Sequence, residues 1–238
     1  MSPIFSWTDL FLSLSWTRQP YYDYHTHTLY PALSSSSSSR NITYLTPLSA
    51  LPLFHQGSSI VPSRQRIRRS SPLMWKDPYT LTVALGKSYE AKGELYSDDG
   101  DSFSHEQGEF IWRGLEFVPK GGKGVAGTLR SRDLVKERGA LAAGLKADGA
   151  AEGYDAEKNA WAKTIGRDGE KVKVERVVVL GLKASPKKVR VAGGKEVEFE
   201  WTKGVEAGRK GGKEGRASEL VIKNPGVLVV EDWEIVLE

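Results

Sequence analysis

The chain has 238 residues, and its 34 Lys plus Arg against 30 Asp plus Glu leave a net charge of +4, too small an excess to imply a polyanionic partner. It contains no cysteine, which excludes disulfides, thiolate zinc sites and a cysteine nucleophile. With 39% hydrophobic residues and 25 glycines it suits sheets joined by many turns, in one large or two modest domains.

The N-terminus is apolar in patches (Ile4, Phe5, Trp7, Leu10, Phe11, Leu12, Leu14, Trp16), but no Lys or Arg precedes Arg18, Asp9 interrupts and serines break the run. It lacks the basic start and continuous apolar core of a signal peptide. No window of the chain approaches the ~20 apolar residues of a membrane helix. After the aromatic residues Tyr21, Tyr22 and Tyr24, the serine run 34–39 cannot bury anything and reads as a flexible loop. Short strands are expected over 42–45, 51–55 and 59–61, separated by Pro47, Pro52, Gly57 and Pro62, and this first β-unit ends near Arg69.

A second unit begins at Pro72, with strands expected over 79–85, 93–97 and 109–118 and turns over 86–88 and 98–101. In the first of these, Tyr79, Leu81, Val83 and Leu85 share one face, with Thr80, Thr82 and Ala84 on the other. The Ala- and Gly-rich segment 139–152 reads as an inserted loop. Further on, the apolar run 177–180 predicts a central strand covered on both sides, and Val189 and Val191 alternate with Lys188 and Arg190 in the next. Val197, Phe199 and Trp201 oppose Glu196, Glu198 and Glu200 in a strand with one wet face. Strands over 220–222, 227–230 and 233–237 complete the set, and 205–216, full of Gly, Lys and Arg, reads as a surface loop. Many short strands with close turn signals predict an all-β chain whose main body is an antiparallel β-sandwich.

No constellation of a catalytic or metal site assembles from the sequence. Asp98, Asp99, Gly100 and Asp101 form the densest carboxylate group, but the spacing is not that of a calcium loop and Asp-Gly is a turn signal. His25 and His27 would project from one face of a strand, yet a zinc site needs a third ligand, and His55 and His105 are distant in sequence. Gly122, Gly124 and Gly127 match a dinucleotide fingerprint without its strand-to-helix context. Arg64, Arg66, Arg68 and Arg69 form a basic run with no interleaved aromatics, as in a solvated or salt-bridged segment rather than a nucleic-acid surface. Asn41, Ile42 and Thr43 form an N-glycosylation sequon beside a polar loop, which makes Asn41 the candidate glycosylation site.

Several motifs in order carry a resemblance. Leu53 to Pro62 (LFHQGSSIVP), Arg66 to Ser71, and Asp77 to Leu81 (DPYTL) are followed by Gly93 to Gly100 (GELYSDDG), Glu175 to Gly181, Lys223 to Gly226, and Asp232 with Trp233. This series resembles the C-terminal region of glycoside hydrolase family 31, a likeness that runs from about Pro20 to Glu238 and leaves out residues 1–17. Where the family commonly has a second glycine after Gly57, this chain has Ser58.

The resemblance implies a parent enzyme that is a retaining α-glucosidase, in which one aspartate attacks the anomeric carbon while a second acid protonates the leaving oxygen, the two about 5–5.5 Å apart. Both acids reside in a (β/α)8 barrel that precedes the proximal and distal β-domains of the family, and no residue of this chain matches their motifs. The expectation is an unassigned segment 1–19, a partial proximal β-domain 20–69 and a distal β-sandwich 70–238, with no barrel, no catalytic residue and no cofactor or metal. From the family come the expected partners, the catalytic barrel of the parent enzyme and a regulatory β subunit, and an endoplasmic reticulum location; neither nucleic acid nor membrane is expected. The chain then reads as a truncated product or a partial gene model, with residues 1–17 acquired at the break. A free-standing carbohydrate-binding module is the alternative, with Trp112, Trp161 or Trp201 stacking on sugar rings.

Overall fold

The computed structural model describes residues 19–32, 51–121, 124–136, 158–167, 171–191, 193–205 and 215–238 in full, and the backbone of 9–12 and 42–45. Its strands are β1 (Asp9–Leu12), β2 (Tyr21–Asp23), β3 (Thr28–Tyr30), β4 (Ile42–Leu45), β5 (Phe54–Gln56), β6 (Ser59–Ser63), β7 (Tyr79–Ala84), β8 (Ala91–Ser97), β9 (Ile111–Lys120), β10 (Ala126–Asp133), β11 (Val174–Leu180), β12 (Val189–Val191), β13 (Phe199–Thr202), β14 (Gly215–Arg216), β15 (Glu219–Lys223) and β16 (Trp233–Leu237). They form a two-stranded sheet β1-β4, a ten-stranded sheet β12-β16-β10-β9-β8-β6-β7-β11-β15-β13 and a four-stranded sheet β14-β3-β2-β5. The architecture is all-β, and no (β/α)8 barrel occurs among the described residues.

The ten-stranded sheet is nearly closed. From β12 the chain turns back, with Val191 N–H donating to Lys195 O and Val197 N–H to Val189 O, both at 2.9 Å, and it then enters β13 at the opposite edge. Closure leaves one interior, filled by Leu81, Leu115, Phe117, Leu129, Val177, Leu220 and Ile235, each 3% exposed or less. Pairing is antiparallel except for β7 with β11 and a single contact of β6 with β8.

Alternation within β7 places its faces as expected, but both are buried along the whole strand. Leu81 and Val83 enter the main interior, whereas Ala84, with Val178 and Leu180 of β11, packs against Tyr22 of β2 and Ala217 beside β14 in a second, smaller core. The four-stranded sheet thus lies on the outside of the larger one. Tyr22 O–H crosses the gap to donate to Leu85 O at 2.7 Å. Gly181 permits this approach: a Cβ there would stand 2.3 Å from the Tyr22 hydroxyl, and its φ of +94° suits glycine.

Several expectations need correction. β10 lies between β9 and β16, although its inward residues Leu129, Ser131 and Asp133 break the apolar pattern that signals a strand. Residues 227–230 hold only an isolated bridge, Lys173 with Leu228. Residues 160–167 are helical, started by Asn159, whose side chain accepts from Ala162 N–H at 2.8 Å while its amide donates to Gly108 O and Phe110 O. β14 arises inside the stretch read as a surface loop and pairs with β3. β6, on the N-terminal side of position 69, pairs with β7 on the other side. Asn41, the serine run 34–39, Gly122, the segment 139–152 and residues 206–214 lie outside the described residues, as does most of 1–17.

Candidate functional site

The densest carboxylate group is a turn. Asp99 accepts from Asp101 N–H and Ser102 N–H at 3.2 Å and from the Ser102 hydroxyl at 2.5 Å, and Asp98 Oδ1 accepts from Gly100 N–H at 3.0 Å. The Ser102 hydroxyl and these backbone donors hold the Asp99 carboxyl down to about 2. Gly100 has φ +68°, as the Asp-Gly signal requires. The connection from β8 to β9 is longer than a tight hairpin, because a 3-10 turn over Ser104–Gln107 is inserted.

The histidines do not share a strand. Residues 24–26 form a turn between β2 and β3, built on Asp23, which is fully buried and whose Oδ1 accepts from His25 N–H, Thr26 N–H and the Thr26 hydroxyl at 2.9, 2.6 and 2.9 Å. His27, at φ +55°, meets Glu219 of β15, Nδ1 to Oε2 at 3.2 Å. His55 on β5 is 7% exposed, and burial, reinforced by the charge of His27, pushes its pKa down. Among the described residues no three His, Cys, Asp or Glu side chains gather in a way that could hold a metal ion. Gly124, at φ +65°, lies in the connection between antiparallel β9 and β10 and Gly127 lies inside β10, which is not the strand-to-helix setting of a dinucleotide turn.

Three members of the basic run have internal uses. Arg64 lies over the Tyr79 ring at 4.5 Å, Arg66 Nη2 meets Glu175 Oε2 at 3.2 Å, and Arg68 forms a two-pronged pair with Asp77. Of the candidate tryptophans, Trp161 is 9% exposed and packs on Trp75 at 5.8 Å between centroids, with its indole N–H donating to Ser97 Oγ. Trp201 packs against the main interior. Trp112 alone of the three lies on an outward sheet face, half-buried, its indole N–H donating to Glu94 Oε2 at 2.9 Å.

Sequence reasoning missed two polar arrangements. Arg113, turned inward from β9 and 2% exposed, donates to Ser131 Oγ, Val230 O, Glu231 O and Asp232 Oδ1. This guanidinium clamps the 230–232 loop against the end of the sheet. On the opposite, outward face, Lys92 and Glu94 of β8, Gly114 and Glu116 of β9, and Arg130 and Arg132 of β10 surround a cavity of about 420 Å³. The signal for it is a period of two in three separate segments, and only their pairing brings those residues together.

No family model matches the chain. It is 32% identical over 190 residues to human neutral alpha-glucosidase AB, covering 79% of this chain and 15% of that protein. A crystal structure of a glucosidase II alpha subunit bound to alpha3-Glc2 superimposes with a TM-score of 0.73 at 32% identity, covering 97% of this chain and 21% of that one. The chain belongs to glycoside hydrolase family 31. A second family 31 structure, the heterodimeric complex of endoplasmic reticulum glucosidase II with the binding domain of its regulatory subunit, matches with a TM-score of 0.70 at 31% identity. The chain spans 15 to 17% of the length of the curated family 31 relatives that it matches over most of its own length.

Proposed function

We propose that this chain forms the C-terminal, non-catalytic β-domain region of a family 31 α-glucosidase, and that glucose release is carried out by a (β/α)8 barrel of the parent enzyme. The observation that carries this reading is the pairing of coverages: 97% of this chain superimposes on 21% of a glucosidase II alpha subunit, and the part it matches is all-β. Residues 20–69 contribute part of a proximal domain and 70–238 a distal sandwich, with β6 crossing from the first into the large sheet of the second. Tyr24, Leu51 and Leu53, exposed at 37, 69 and 41%, suit a surface that packs on the barrel. Burial of such a surface contributes roughly 25 cal/mol per Å². The heterodimeric endoplasmic reticulum relative supports a regulatory subunit as partner of the parent enzyme and an endoplasmic reticulum location. Among the described residues no helix is long and apolar enough to cross a membrane.

The test is an assay of the purified chain on an aryl α-glucoside. No turnover above buffer is expected. Glucose release that disappears when one acidic side chain of this chain is replaced by its amide would overturn the reading.

A further inference from the structure

The basic run lies between β6 and β7, in the connection that leads from Ser63 to a 3-10 turn over Ser71–Met74. Residues 65–73 are all exposed, and Ile67 is 99% exposed. Neither strand nor helix occupies 64–70, and Ser70 is extended, at φ -151° and ψ 155°. Alternation sorts the side chains. Arg64, Arg66 and Arg68 turn to the body, where they meet Tyr79, Glu175 and Asp77, while Ile67 and Arg69 turn to solvent. Arg69 has no hydrogen bond or ion pair among the described residues. Arg68-Arg69 is the only Arg-Arg pair of the sequence, and with Arg66 it fills the first, second and fourth positions before the Arg69–Ser70 bond. Endoproteases bind substrate as an added extended strand and read it through side-chain pockets. Carboxylate-lined pockets at those three positions match this segment in charge and spacing. Exposed loops are also where nicking concentrates. Arg66, in an exposed pair, is readily drawn off the body, whereas the second pocket must outcompete Asp77 for Arg68.

We propose that the Arg69–Ser70 peptide bond is a processing site for an endoprotease of paired-arginine specificity, and that the product is one molecule in two pieces. The oxygen of water joins the Arg69 carbonyl carbon as the C–N bond breaks, which leaves a carboxylate on Arg69. Both water protons pass to the Ser70 nitrogen, which leaves as an ammonium group. The pieces 1–69 and 70–238 stay joined, because β6 keeps its pairing with β7 from Ser59 to Ser63 and β14 keeps its pairing with β3. The site rests on this segment alone and not on the glucosidase reading. The experiment incubates the full chain with a subtilisin-type endoprotease selective for paired arginine, and follows intact mass and size-exclusion elution. The masses of 1–69 and 70–238 are expected first, with both pieces eluting together at the position of the uncut chain. Arg69→Gln removes a side chain without a partner, so the variant should fold as the parent does and lose the cut. No cut after Arg69, a first cut elsewhere, an undiminished cut at this bond in Arg69→Gln, or separate elution of the pieces would overturn the proposal.

Discussion

Asp77 is 2% exposed, and both of its carboxylate oxygens accept from Arg68, Nε to Oδ2 at 2.9 Å and Nη2 to Oδ1 at 2.6 Å. The Arg68 hydrogen bonds hold the Asp77 carboxyl below the usual carboxylate range, against the opposing effect of burial, with the charges of Arg68, Arg66 and Arg64 assisting. An acid whose folded pKa is depressed contributes stability that is fully present above its unfolded value, and loses it as pH falls through the folded pKa. Replacing Arg68 by Gln removes the largest cause of the depression. The variant is therefore expected to melt below the parent at neutral pH, and the gap should close as the solution is acidified below about pH 4, the unfolded carboxylate range. Melting curves of both proteins across that range check it. A gap that persists unchanged in acid would mean that Arg68 acts through packing alone.

At the scale of elements, the strands that read clearly in the sequence are those whose burial follows simple alternation or a continuous apolar run. β7, β11 and β16 are of this kind, because their inward residues are aliphatic or aromatic. β10 fails the test because it sends Ser131 and Asp133 inward beside Arg113, a polar cluster that no window of one strand can reveal. β14 is too short to carry a period, and its register with β3 comes from tertiary contact. The face around Gly114 was illegible for the same reason: its residues belong to three strands. Tyr22 marks where two elements meet. Its hydroxyl is buried against Leu85 O, and burial, with the nearby Tyr89, pushes its pKa upward. Tyr22→Phe keeps the ring and deletes this bond, leaving that acceptor without it, so a loss of about 1 kcal/mol in urea unfolding is expected. A loss near zero would show that water replaces the hydroxyl.

Strand exchange ties the sheets into one body. β6 leaves the small-sheet side of the chain to lie between β8 and β7, and its five residues pair with β7 from Ser59 with Ala84 to Ser63 with Thr80. In return, the segment between β13 and β15 supplies β14 to the edge of the four-stranded sheet, and Ala217 N–H donates to His27 O at 2.9 Å beside it. Pulling residues 20–69 away from 70–238 would uncover an edge of β7 and open the small core around Tyr22, Val178 and Leu180. Unfolding of one unit thus removes part of the other, which is the condition for a single cooperative transition in a chain larger than most two-state domains. Calorimetry of the whole chain is expected to give one peak with equal calorimetric and van't Hoff enthalpies. Residues 70–238 expressed alone, deprived of β6, should show no sharp transition and should associate through the bared strand. Two resolved peaks in the whole chain, or a sharp transition in the piece, would show instead that each sheet holds its fold without the strand it receives from the other side.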